Sequence, residues 1–108
     1  MRKYEIMLIL PADAEEATVT GVTDRIAQVI GTADGRVTNI DAWGRRRLAY
    51  EIDRRTEGYY VVVDCLADPA SMRELERVLT LADDVVRFKV VVREDAPAPQ
   101  PAAAQQQQ

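Results

Sequence analysis

Histidine is absent from this 108-residue chain and cysteine occurs once, as Cys65. Without an imidazole there is no Ser/His or Cys/His nucleophile pair, and no Cys/His set with zinc spacing. One cysteine cannot close an internal disulfide. Aromatic residues make up only 6% of the chain, with a single Trp and a single Phe. Long apolar runs are missing too. The longest near the start, Ile6-Met7-Leu8-Ile9-Leu10, follows Met1-Arg2-Lys3, but Glu5 interrupts its approach and it is too short for a signal peptide or a membrane span. These absences point to a soluble cytoplasmic protein with no structural metal. The carboxylates are scattered as on solvated helix faces, and no acid/base pair stands out.

What is present is a balance of 47% hydrophobic and 30% charged residues, the composition of a small globular domain. Residues 94–108, rich in proline, alanine and glutamine, hold no large apolar side chain and read as a disordered extension. The remaining residues, 1–93, make one domain. A core this small gives marginal stability, to which a partner would add. The formal net charge is −4, which argues against a general coat for nucleic acid. Yet between Gly44 and Arg55 stand Arg45, Arg46, Arg47, Arg54 and Arg55 against only Glu51 and Asp53. That segment is locally basic.

Hydrophobic periodicity divides the domain into six elements. Arg2 to Leu10 reads as a strand ended by Pro11. Asp13 and Glu16 resemble a capping pair for a helix whose stripe is Val19, Val22, Ile26, Val29 and Ile30, ending near Gly31 to Gly35. Gly21 inside that helix costs about 1 kcal/mol relative to alanine. Arg36 to Asp53 is extended, with a bulge or bend at Gly44. Arg54 to Gly58 turns the chain into a strand over Tyr59 to Ala67. Asp68-Pro69 starts a second helix with Met72, Leu75, Val78, Leu79 and Ala82 inward. Val85 to Arg93 closes the domain as a strand, Val86, Phe88, Val90 and Val92 on one face.

Strand, helix, strand, strand, helix, strand is the α+β, ferredoxin-like split βαβ order: a four-stranded antiparallel sheet with two helices on one face. The other face then carries Glu5, Met7, Ile9, Tyr60, Val62, Asp64, Arg87, Lys89 and Val91. That mixture fits either cover by a partner or a wet face with a few aliphatic residues, and the pattern alone weighs the two equally.

Cys65 alternates with Val61 and Val63, as a packed core thiol does. Gly35-Arg36-Val37 resembles an acylphosphatase anion loop but follows the first helix instead of the first strand, a coincidence. Glu57-Gly58-Tyr59-Tyr60-Val61-Val62 partly resembles an RNA-recognition-motif signature, with Glu57 at the basic position and a valine at the later aromatic one. Core or partner packing suits those tyrosines better than base stacking. Arg45, Arg46 and Arg47 place positive charge on both faces of one strand, suited to phosphates or to protecting a sheet edge. On charge alone the second use is slightly ahead.

Arg2, Tyr4 and Glu5, then Gly44-Arg45-Arg46-Arg47-Leu48-Ala49-Tyr50-Glu51-Ile52, Gly58-Tyr59 and Val85-Val86-Arg87-Phe88 together are similar to bacterial small-subunit ribosomal protein six. The resemblance spans residues 1–93. It implies a ferredoxin-like structural protein of the small subunit's central domain, or platform, that binds ribosomal RNA together with ribosomal protein eighteen, without catalysis or cofactor. It makes the basic block an RNA and partner surface: Arg45, Arg46, Arg47, Tyr50, Arg54 and Arg55, with Arg2, Lys3, Tyr60, Arg87 and Lys89 around it. Leu79-Thr80-Leu81-Ala82 departs from many relatives, which carry a basic residue there. A small-molecule regulatory module and an acylphosphatase-like enzyme are the rival classes, but neither has its ligand loop.

Overall fold

The structure, a computed structural model, describes residues 1–52 and 54–93; the expected extension over 94–108 lies outside the described residues. The order is β1 (Arg2–Pro11), α1 (Glu16–Gly31), β2 (Arg36–Ile52), β3 (Arg55–Ala67), α2 (Pro69–Leu81) and β4 (Arg87–Val92). The sheet runs β2-β3-β1-β4, every neighbouring pair antiparallel. This is the ferredoxin-like split βαβ fold.

Strict alternation puts Tyr4, Ile6, Leu8 and Leu10 of β1 and Val61, Val63, Cys65 and Ala67 of β3 on one face. They pack with Val19, Val22, Ile26 and Ile30 of α1 and Met72, Leu75 and Leu79 of α2. Both strands are central in the sheet, so this cluster joins its middle to the two helices. Phe88 and Val90 pack against it from β4, but Val92, expected beside them, is exposed at the end of the edge strand.

Three boundaries differ from the sequence reading. The Ala14 N–H donates to the Pro11 carbonyl at 2.9 Å, so residues 11–14 form a turn and the helix starts later. Its N-cap is Glu15, not Asp13, and no side chain bonds the free N–H groups. Asp68 does occupy the N-cap of α2 with Pro69 following, but its carboxylate makes no cap bond either. β3 begins at Arg55, not Tyr59, because Ile52 pairs directly with Arg55 and the chain reverses more tightly, with Arg54 at φ 65°. β4 begins at Arg87, though the Val86 N–H already reaches the Ile9 carbonyl at 2.8 Å.

The β2–β3 hairpin outruns the rest of the sheet. Pairing of β1 with β3 ends at Pro11 opposite Gly58, so the stretches 47–52 of β2 and 55–57 of β3 form a two-stranded arm. Such an arm is marginal alone. Leu48 and Ile52, each 7% exposed, supply its apolar anchorage. A Cβ on Gly58 would lie 2.5 Å from Ile9 Cγ2 and 3.3 Å from Leu48 Cδ2. Gly58 is therefore the gap through which Leu48 comes down toward Ile9. Register shifts fall at Val37/Asn39, Ala42/Gly44 and Arg47/Ile52, and the middle one confirms the bulge at Gly44, whose φ is 88°.

Candidate nucleic-acid interface

The arginines of the block separate by strand alternation. Arg46 stands opposite Gly58, on the face of Ile9 and Leu48 that the helices leave open. Arg45 stands opposite Tyr59, which packs against the helix-side core, and Arg47 opposite Glu57 two residues on. Neighbouring guanidinium groups thus leave the strand on opposite sides.

On the open side the bulge inserts Trp43 between Ala42, opposite Val61, and Gly44, opposite Tyr60. The indole stacks on the Tyr60 ring with centroids 6.1 Å apart and planes 11° from parallel. The Arg46 guanidinium carbon lies 5.8 Å from the Trp43 ring centroid, within cation–π range. Trp43 Nε1–H donates to Asp41 Oδ2 at 3.1 Å. Indole, phenol and guanidinium are thereby ordered against one another.

From this corner the open face crosses the sheet. Ile9 lies between Tyr60 and Arg87, Met7 between Val62 and Lys89, and Glu5 between Asp64 and Val91. Val62 is buried, Met7, Ile9 and Tyr60 are half-buried, and Arg87 and Lys89 are exposed. The expected composition of this face is what the register produces: aliphatic in the middle, cationic along β4, aromatic toward β2.

Not every residue expected at the interface is brought to the arm. Arg2 and Lys3 lie opposite Ala67 and Leu66 at the other end of β1, about 30 Å away along the strand at ~3.3 Å per residue. Arg45, Arg46, Arg47, Arg54 and Arg55 are all exposed on the arm or at its root. Tyr50 is exposed by 68%, in the part of β2 beyond Arg47. Trp43 is a residue of this face that the expected set leaves out. Its signal was present, an aromatic immediately before the bulge glycine of the basic block, but only the fold brings it against Tyr60.

Among the described residues the ion pairs lie elsewhere. Arg25–Asp84 at 3.5 Å joins α1 to the loop before β4, Arg77–Glu74 at 2.6 Å is within α2, and Arg93–Glu5 at 3.2 Å closes the rim of the sheet. Among the described residues none of Arg45, Arg46, Arg47, Arg54, Arg55, Arg87 or Lys89 joins an ion pair. Among the described residues these cations of an acidic protein have no salt-bridge partner. Burial, helped by the neighbouring Asp64 charge, pushes the Cys65 thiol up to about 11, so it stays protonated near neutral pH and is a core group, not a nucleophile.

A helix-backed sheet with one open half-apolar face and an overhanging arginine arm defines a ferredoxin-like protein whose exposed surfaces are an aliphatic sheet face and a cationic hairpin. The sequence profile of the ribosomal protein S6 family matches residues 3–92. Small ribosomal subunit protein bS6 of Salinispora arenicola is 55% identical over 91 residues, covering 84% of this chain and 95% of that one. The Moorella thermoacetica bS6 is 41% identical over 95 residues, 88% and 97% of the two chains. The crystal structure of 30S ribosomal protein S6 from Thermotoga maritima superposes with a TM-score of 0.76 at 27% identity, covering 85% and 87%. The C-terminal domain of MgtC from Mycobacterium tuberculosis, with a TM-score of 0.59 at 18% identity, shares the fold alone. The chain belongs to the ribosomal protein S6 family. It is a structural protein of the small subunit of the cytoplasmic ribosome and not an enzyme.

Proposed function

We propose that the protein binds small-subunit ribosomal RNA in the central domain together with ribosomal protein eighteen, and that residues 1–93 suffice for it. The observation that carries this reading is that, among the described residues, Arg45, Arg47, Arg54 and Arg55 of the hairpin and Arg87 and Lys89 of β4 join no ion pair and stand beside an open, half-apolar sheet face. Exposed arginines held without counterions are suited to phosphates, and an aliphatic strip flanked by polar side chains is suited to another protein. The net charge of −4 opposes approach to RNA, and few phosphate contacts release few counterions. A partner seated on the sheet offsets that repulsion and offers a joint surface, so binding is cooperative. The experiment is a salt titration of binding to a central-domain RNA fragment, with and without ribosomal protein eighteen. Weak binding alone and strong binding with the partner is the expected result. Tight binding by this chain alone, with a steep salt slope and no gain from the partner, overturns the cooperative reading.

A further inference from the structure

The arginine block is not one site. On its helix-side face Arg45, Arg47 and, across the hairpin, Arg55 are set around Glu57. Arg47 is directly opposite Glu57, Arg45 is opposite Tyr59, and Arg55 follows the same alternation along β3. Arg45 and Arg55 line one open concavity with Ala12, Asp13, Thr56 and Glu57. Two guanidinium groups thus share this concavity with two carboxylates, Arg47 stands opposite one of them, Glu57, and among the described residues no ion pair forms between them. Arg46, by contrast, is turned to the other side and lies over Trp43, which already stacks on Tyr60.

We propose that Arg45, Arg47 and Arg55 form the RNA phosphodiester site of the arm, and that Arg46 takes no part in it. This rests on the RNA-binding reading above and sharpens it to one face of one hairpin. Planar guanidinium forks spaced along a two-stranded ribbon match successive phosphate groups, each bound through paired N–H donors. Arg46 lacks that freedom, because leaving the indole to reach a phosphate gives up its cation–π contact. Glu57 sits among the three arginines and repels the same phosphates, so it weakens the site without being part of it.

The test uses full-length chain with its protein partner and the central-domain RNA fragment, comparing Arg45→Gln, Arg47→Gln, Arg55→Gln, Arg46→Gln and Glu57→Gln by salt titration. Each of the first three is expected to lower the log–log salt slope by about 0.7 to 0.9, the value per phosphate contact. Arg46→Gln is expected to leave that slope at the wild-type value, and Glu57→Gln to tighten binding without lowering it. Arg46→Gln reducing the slope as much as Arg45→Gln overturns the division of the block. Unchanged slopes for all of the three, in a wild-type complex that binds RNA, overturn the site while leaving the proposed function standing. A wild-type complex with no affinity for the RNA overturns both. Thermal melting of each variant separates loss of binding from loss of fold, and the three single substitutions are expected to melt with the wild type because all lie on exposed positions.

Discussion

The indole of Trp43 and the ring of Tyr60 lie nearly parallel, 11° apart in plane with centroids separated by 6.1 Å, although the two residues belong to different strands. The contact exists because the bulge at Ala42/Gly44 inserts Trp43 opposite the β3 segment that begins with Tyr60. An offset aromatic pair adds ~0.5–1.5 kcal/mol beyond the area it buries. Trp43→Ala is accordingly expected to lower unfolding free energy by about 1–2 kcal/mol. Urea denaturation followed by circular dichroism measures it. No loss of stability would mean that the stack is incidental.

Gly58 and Gly21 should respond to alanine with opposite signs. The Cβ at Gly58 meets Ile9 Cγ2 at 2.5 Å, so Gly58→Ala must displace Ile9 or lift Leu48 from its seat, at a cost of about 1–3 kcal/mol. A Cβ at Gly21, within α1, meets nothing within 4 Å, and there alanine is expected to stabilise by roughly 0.5–1 kcal/mol. Two melting curves decide both. Gly58→Ala melting at or above the wild type would contradict the close approach.

Replacing Arg45, Arg46 and Arg47 together with glutamine should leave the melting temperature within a few degrees of the wild type, because none forms an ion pair among the described residues. Incorporation into reconstituted small subunits should fall at the same time. If incorporation is unchanged, the cluster is left with the role of guarding the edge strand β2.

Alkaline pH should probe Cys65. Its thiol is raised from 9.0 to about 11 in the fold, chiefly by burial. Between those values the unfolded chain has lost its thiol proton and the folded chain has kept it. The unfolded state therefore binds fewer protons, and stability falls as pH rises from 9 toward 11. A Cys65→Val variant removes this contribution, so the difference between its unfolding profile and that of the wild type should change over that range and stay flat below it. A constant difference throughout would show that the thiol titrates as it does in the unfolded chain. Slow modification of Cys65 by a thiol reagent at neutral pH is expected on the same grounds.

The sequence alone determined the architecture, because alternation and helical periodicity are local and this chain follows them strictly. Tyr4, Ile6, Leu8 and Leu10 had to share a face, as did Val19, Val22, Ile26 and Ile30, and Gly44 in an otherwise extended run marked the bulge. The basic block and the absence of histidine were equally legible. What local pattern could not supply was competition between neighbouring solutions. Asp13 looked like a cap, but a turn closed at Ala14 before its side chain could serve. Gly58 looked like part of a turn until Leu48 needed the space beside Ile9. Five arginines between Gly44 and Arg55 read as one patch, whereas the pairing register sends Arg46 to the indole of Trp43 and Arg45 and Arg47 to the other side. The same register leaves Arg2 and Lys3 at the far end of β1. Which face a side chain meets, and what waits there, depends on residues ten or more positions away, and only the closed sheet fixes that.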